Sequence, residues 1–142
     1  MAAHLHYSRN CLCLTLLLAT LWAAGCSQEP FPMVKVSGRL TYEDGSPIEG
    51  GRIRLKFRSA VPPRDAKTHP RPGIAYLNED GTFTEVTTHK YGDGIVRGEH
   101  QIFIEIEGES SGVPAEYRGT DSPLRVHSDE APFELRVPRP AA

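Results

Sequence analysis

Residues 108–112 have the spacing Gly-x-Ser-x-Gly, which places Ser110 between two glycines as a possible nucleophile. Asp121 and His127 follow in the order that an acid and a base take in many serine hydrolases. Such a serine must stand on a tight turn between a strand and a helix. Val113-Pro114 follows instead, with no helical pattern after it, so the sequence predicts a chain that is not an enzyme.

The stretch Tyr117-Arg118-Gly119-Thr120 resembles the Tyr-Arg-Gly-Ser signature of transthyretin-related hydroxyisourate hydrolases. In those enzymes the tetrapeptide ends the chain, and its terminus reaches the active site. Residues 121–142 follow it here, so we assign it no catalytic role.

The histidines and turn aspartates do not have the spacing of a metal site. The histidines fall in separate segments without a pattern such as His-x-x-x-His, and the aspartates each sit beside a turn glycine. These residues are His69, His89, His100, His127, Asp44, Asp80 and Asp93. We therefore predict no metal or other cofactor. His100 alternates with isoleucines, which favours a hydrogen-bonded core residue.

Cys26 follows a positively charged start at Arg9 and an apolar run over residues 11–24. This order is typical of a secretory signal peptide. The tetrapeptide Ala23-Ala24-Gly25-Cys26 resembles a bacterial lipobox, and that resemblance implies cleavage before Cys26 and a diacylglycerol on its thiol. We expect residues 1–25 to be a lipoprotein signal peptide, with the protein held on a membrane of the bacterial cell envelope, facing the periplasm or the outside.

Two other interpretations of this leader stay open. Ala23 and Gly25 also satisfy an ordinary small-x-small cleavage site, which would release a soluble protein beginning at Cys26. The apolar run could also stay uncut as an anchor, although it is short of the ~20 residues that a membrane-spanning helix needs.

The composition favours short strands joined by turns. The chain has 13 Gly and 12 Pro but only 8% aromatic residues. Its formal net charge of −2 does not indicate a nucleic acid as partner. Cys11 and Cys13 lie in the predicted leader, so no disulfide is expected within the remaining chain.

Apolar and polar residues alternate along seven segments, which predicts seven strands with one face inward. The strands are expected at 34–42, 52–58, 73–77, 82–86, 98–107, 124–127 and 133–137. We predict a hairpin turn at 78–81 and a closing pair between the last two strands. The predicted core is Ile53, Leu55, Phe57, Phe83, Ile102, Ile104, Phe133 and Leu135. The basic residues that alternate with this core on 52–58 are expected to meet Gln101, Glu105 and Glu107.

Several of these segments resemble the carboxypeptidase regulatory-like domain, in their order and spacing. They are Val36-Ser37-Gly38-Arg39-Leu40, Pro47-Ile48-Glu49-Gly50-Gly51, Ile53-x-Leu55-x-Phe57, Asn78-Glu79-Asp80-Gly81-Thr82-Phe83, Gly92-Asp93-Gly94 and Arg97-Gly98-Glu99-His100. The resemblance implies an all-β, seven-stranded transthyretin-like Greek-key β-sandwich over residues 34–138. It also implies an accessory, stabilising or adhesive role rather than a catalytic one.

The sequence thus predicts a tether at 26–33, the domain at 34–138 and a frayed tail at 139–142. We expect a non-enzymatic, lipid-anchored envelope protein with a structural or adhesive β-sandwich. The alternative is a binding module whose long loops, 59–72 and 108–123, hold a glycan, a peptide or another envelope protein. No residue of those loops is singled out as a ligand contact.

Overall fold

A computed structural model describes residues 29–140, and their regular structure is almost entirely β. The strands are β1 (Met33–Val34), β2 (Gly38–Tyr42), β3 (Gly50–Ser59), β4 (Gly73–Tyr76), β5 (Thr82–Phe83), β6 (Ile95–Val96), β7 (Glu99–Ser111), β8 (Arg125–His127) and β9 (Phe133–Val137). Two short 3-10 helices lie at Ala115–Tyr117 and Ser128–Glu130. The predicted all-β class is confirmed. The predicted strand at 34–42 is divided between β1 and β2, the other predicted strands each have a counterpart, and β6 lies outside the predicted strands.

Two sheets pack against each other around one core. The first has the order β4-β3-β7-β8 with antiparallel neighbours, and the second has the order β5-β2-β9 with β9 parallel to β2. Phe57 of the first sheet meets Phe83 and Phe133 of the second, at ring-centroid distances of 5.9 and 6.2 Å. Aromatic pairs at such distances add to the free energy gained by burial.

The alternation of side chains along the strands decides which residues reach this core. All eight predicted core residues are buried: Ile53, Leu55, Phe57, Phe83, Ile102, Ile104, Phe133 and Leu135. Two of the three predicted cross-strand partners bond to outward side chains of β3, and the third, Glu107, is the register partner of Arg52. Arg54 Nε donates to Glu105 Oε2 at 2.7 Å, and Arg58 donates to Gln101 Oε1 at 2.9 Å.

Two predicted strand pairings are wrong, because the chain changes sheets at both places. The turn at 78–81 forms, with Asn78 N–H donating to the Thr82 carbonyl at 2.8 Å, but β5 then pairs with β2 rather than with β4. The backbone explains this, since Leu40 N–H donates to the Gly81 carbonyl at 2.9 Å. The expected closing pair is also split, because β8 pairs with β7 and β9 pairs with β2.

Gly38 allows β9 to lie beside β2. A Cβ on this residue would stand 2.6 Å from the Phe133 carbonyl oxygen, closer than side chains tolerate. Gly38 is the register partner of Phe133 at the start of the parallel ladder. Gly38 therefore has a local steric role in joining the two strands.

The packed region extends beyond both expected boundaries. Phe31 is buried and Met33 pairs with Val96, although the sequence predicts a tether over 26–33. At the other end the Arg139 guanidinium lies 4.1 Å from the centre of the Tyr42 ring and donates to Ser46 Oγ at 2.7 Å. The tail predicted at 139–142 is therefore held at Arg139. The leader and Cys26 lie outside the described residues.

Within residues 29–140, no helix has the length and apolar character needed to cross a membrane.

Candidate functional site

The segment predicted as a binding loop at 108–123 is mostly attached to the sheet. Its first residues, 108–111, belong to β7, and Gly50 pairs with Ser111. Gln101 Nε2 donates to the carbonyls of Thr120 and Ser122, both at 2.9 Å. Val113 is buried in the core. The Thr120 and Ser122 carbonyls are thus already bonded within the protein.

The other predicted binding loop, 59–72, is organised around Asp65. The Asp65 carboxylate accepts the amides of Lys67 and Thr68, both at 2.8 Å, and the Thr68 hydroxyl at 3.0 Å. These bonds, that from the Lys67 amide first, lower the pKa of Asp65. Such bonding is ordinary turn chemistry.

A groove lies instead between the outer surface of β4 and the segment 84–91. Its volume is about 560 Å³, within the usual range for small-molecule sites. Tyr76 and Tyr91 line it, with exposed fractions of 43% and 84%. They are the exposed large hydrophobic residues of the described chain. We call this the Tyr76–Tyr91 groove; Pro72 is its only contribution from 59–72, and 108–123 contributes none.

Asp93 fixes the loop that carries Tyr91. Its carboxylate accepts the amides of Thr88, His89 and Lys90 at 2.8, 2.9 and 2.9 Å. Partial burial acts to raise the pKa of Asp93, but these amide hydrogen bonds outweigh it and lower the pKa. The carboxylate is therefore ionised at neutral pH, and Tyr91 stands on a loop whose backbone is already ordered.

Tyr76 is supported from the neighbouring strand. The Arg52 guanidinium lies 4.1 Å from the centre of the Tyr76 ring, a cation–π distance. Arg54 is the register partner of Tyr76, and its hydrogen bond to Glu105, followed by its interaction with Tyr76, raises the pKa of the Arg54 guanidinium. Tyr76 thus lies on the outer face of β4 with Arg52 packed on its ring.

The two walls of the groove are bonded to each other. Ile74 N–H donates to the Thr87 carbonyl, and Thr87 N–H donates to the Ile74 carbonyl, both at 2.8 Å. This bridge lies between the strand that carries Tyr76 and the loop that carries Tyr91. These two backbone hydrogen bonds consequently hold the two segments that carry the tyrosines next to each other.

The polar side chains of the groove have little net charge. Arg54 is its only lining cation, and this residue is paired with Glu105 outside the groove. Glu85 is its lining carboxylate. Hydrogen bonding to Glu85, reinforced by the negative charge, raises the pKa of Tyr91, so the phenol stays protonated. Asn78, Thr84, Thr87 and Thr88 supply neutral amide and hydroxyl groups.

The residues considered for catalysis do not lie on the strand–turn–helix that a nucleophile elbow requires. Ser110 is on β7, where the backbone is extended, and only a three-residue 3-10 helix follows at Ala115–Tyr117. His127 is half-buried on β8, and its Nδ1 accepts the Asp129 amide at 3.4 Å. Asp121 and Arg118 are exposed in the segment after that helix, and Tyr117 is half-buried within it.

The histidines and aspartates considered for metal binding occupy separate places. Residues 29–140 contain no group of three or more His, Cys, Asp or Glu side chains placed to hold a metal. His100 is buried with Nε2 2.7 Å from the Val96 carbonyl oxygen, which confirms a hydrogen-bonded core residue. Asp44 and Asp80 accept hydrogen bonds within their turns; bonding from the Ser46 hydroxyl contributes most to lowering the pKa of Asp44 to about 2.

The sequence does not single out Tyr76 or Tyr91, because local patterns do not report how exposed an aromatic residue is. For Tyr76, the two-residue period of a strand could have identified the outer face, because Tyr76 alternates with the inward Gly73 and Ala75.

Comparison with protein-family models, with curated proteins and with solved structures found no match to this chain. The resemblance to the carboxypeptidase regulatory-like domain accordingly stays a prediction.

Proposed function

We propose that this chain is a lipid-anchored protein of the bacterial cell envelope whose β-sandwich is a non-enzymatic binding module. The Tyr76–Tyr91 groove is the proposed binding site, in place of loops 59–72 and 108–123. We further propose that the domain is a transthyretin-like Greek-key sandwich of the carboxypeptidase regulatory-like kind. The two facing sheets and the turn at 78–81 support that assignment.

The observation that carries the binding proposal is the presence of two exposed tyrosines on supports that are already ordered. Tyrosine is enriched at binding hot spots because it combines a flat apolar ring with a polar end. Ordering such side chains before a ligand arrives lowers the entropy lost on binding. Asp93 orders the Tyr91 loop, and Arg52 packs on Tyr76.

The proposed anchor is a diacylglycerol thioether on Cys26, with an added amide-linked acyl chain. One chain binds a bilayer only marginally, so stable attachment takes two or more. We expect Cys26→Ala to leave the leader uncut or to release the protein from membranes. Mass spectrometry of the mature amino terminus measures the lipid directly. An unmodified Cys26, with membrane fractionation unchanged in the variant, contradicts the anchor.

The binding site is tested by retention on envelope material. Full chain purified in detergent is incubated with envelope fragments from which lipids have been extracted, and the bound fraction is measured by sedimentation. We expect Tyr91→Ala to lower that fraction strongly. Arg118→Ala is the matched control, since Arg118 is exposed and outside the groove. Equal retention of wild type, Tyr91→Ala and Arg118→Ala contradicts the proposal and leaves a purely structural role.

A further inference from the structure

We propose that the ligand of the Tyr76–Tyr91 groove is a neutral glycan, held by its apolar ring faces against the tyrosines and by its hydroxyls at the polar wall. This inference rests on the proposed function and specifies its ligand. Three properties of the groove support it: the kind of apolar surface, the hydrogen-bonding groups and the charge.

The apolar surface of the groove is mostly aromatic. Its large apolar elements are the two tyrosine rings, and the others are Pro72 and the half-buried Ile74. A sugar ring presents a face of C–H groups surrounded by hydroxyls, and this matches a ring that is apolar on its face and polar at its edge. A peptide anchored by Leu or Phe side chains would need an enclosing apolar pocket.

The hydrogen-bonding groups that remain in the groove are mixed donors and acceptors. Thr87 Oγ1 accepts from the Gly92 amide at 3.1 Å, which leaves its hydroxyl proton to donate. Thr88 Oγ1 donates to the Gly94 carbonyl at 2.7 Å, which leaves its lone pairs to accept. Asn78 Nδ2 donates to Thr82 Oγ1 at 3.0 Å and leaves Oδ1 to accept. Ligand hydroxyls can satisfy all three, because each hydroxyl both donates and accepts.

The charge of the groove disfavours a polyanion. Arg54 is its only lining cation and is committed to Glu105. The neighbouring Arg52 has its guanidinium packed on the Tyr76 ring, and Glu85 contributes a negative charge beside Tyr91. A phosphate-rich or sulfated polymer needs several uncommitted cations. The same carboxylate can accept from two neighbouring hydroxyls of an uncharged sugar.

The first experiment treats the envelope fragments before binding. Mild periodate, followed by borohydride, cleaves vicinal diols of glycans, whereas protease removes peptides. We expect periodate to abolish the Tyr91-dependent retention of the full chain and protease to leave it. Retention that survives periodate and is lost after protease overturns the glycan inference while the binding site stands. Retention that never depended on Tyr91 overturns the proposed function itself.

The second experiment uses defined probes: neutral oligosaccharides of glucose, mannose, galactose and N-acetylglucosamine, a sulfated oligosaccharide and an uncharged Leu-containing peptide. Calorimetry gives the Kd for wild type, Tyr91→Ala, Tyr91→Phe and Arg118→Ala. We expect a neutral oligosaccharide to bind, with affinity lowered about tenfold or more by Tyr91→Ala. Tyr91→Phe keeps the stacking face and should lose only a few-fold. Stronger binding of the sulfated probe or the peptide at the groove overturns the inference.

Discussion

At the scale of single residues, burial separates side chains that look alike in the sequence. His100 and His127 are both polar residues on strands, yet His100 is 1% exposed in the core and His127 is half exposed. Phe57 contacts two rings of the facing sheet, whereas Tyr91 stands in solvent. The effects of substitution should differ accordingly, with Phe57 and His100 affecting folding and Tyr91 affecting binding.

Phe57→Ala should lower the free energy of unfolding by about 3–5 kcal/mol, the usual range for a large buried aromatic residue. Phe57 is 0% exposed and lies between Phe83 and Phe133, so its removal leaves a cavity that both sheets line. Chemical denaturation measures the loss. Lys35→Ala, on an exposed side chain, should change stability by under about 0.5 kcal/mol. Similar losses in both variants would contradict a special contribution of Phe57 to the core between the two sheets.

The protein should lose stability as the pH falls below the unperturbed histidine pKa of 6.5. Burial, the largest cause, lowers the pKa of His100 in the folded protein. The unfolded chain therefore binds a proton more readily over the interval from 6.5 down to the folded pKa, and unfolding becomes easier across it. His100→Gln keeps a donor for the Val96 carbonyl but does not titrate. Urea unfolding at a series of pH values should show a shallower pH dependence in this variant. An unchanged dependence would refute this role for His100.

At the scale of elements, local order in the loops comes from carboxylates that accept several amides. The loop at 87–94 depends on Asp93, and the loop at 59–72 depends on Asp65. Only the first supports an exposed aromatic residue beside a groove. The order of that loop is therefore coupled to the proposed site.

Asp93→Ala should leave three amides without their acceptor and destabilise the protein by about 1–3 kcal/mol. The change should also speed hydrogen exchange at the amides of Thr88, His89 and Lys90, which bond to this carboxylate. Nuclear magnetic resonance measures the exchange residue by residue. Asp80→Ala, in the exposed turn before β5, serves as the control and should leave those three rates unchanged. Unchanged rates in Asp93→Ala would mean that the loop is ordered by other contacts.

The strands themselves can be predicted from the sequence, but their pairing cannot. Alternation identifies β3 and its inward Ile53, Leu55 and Phe57, because the two-residue period is a local property. The partner of a strand depends on distant residues instead. The pairing of β9 with β2 depends on the close approach at Gly38, and the Asp80-Gly81 turn looks the same whether the chain returns to its own sheet or crosses over. The groove cannot be predicted from local sequence either, because it depends on the pairing of Ile74 in β4 with Thr87.

At the scale of the whole molecule, the amino-terminal residues of the described chain belong to the folded unit. Phe31 is buried, and β1 pairs with β6 just before the long strand β7. Arg139 packs on Tyr42 near the other end of the chain. Both ends of the described region thus contribute to stability.

A chain of residues 29–140 should fold with one cooperative transition, and removal of residues 29–34 should lower its Tm by roughly 5–15 °C. The reason is the lost burial of Phe31, worth about 1.5–3 kcal/mol, together with the β1–β6 pair. Calorimetry of the two chains measures the difference. Phe31→Ala in the longer chain should reproduce much of it. Equal Tm values would show that residues 29–34 do not stabilise the folded domain.

The burial of Phe31 also limits the length of chain between Cys26 and the folded domain. Five backbone steps separate Cys26 from Phe31, and an extended chain covers about 3.3–3.6 Å in each, so the reach is about 18 Å at most. With Cys26 lipidated as proposed, Phe31 would stay within that distance of the bilayer surface, and the domain would diffuse in the plane of the membrane. Encounters with its ligand would then depend on lateral diffusion.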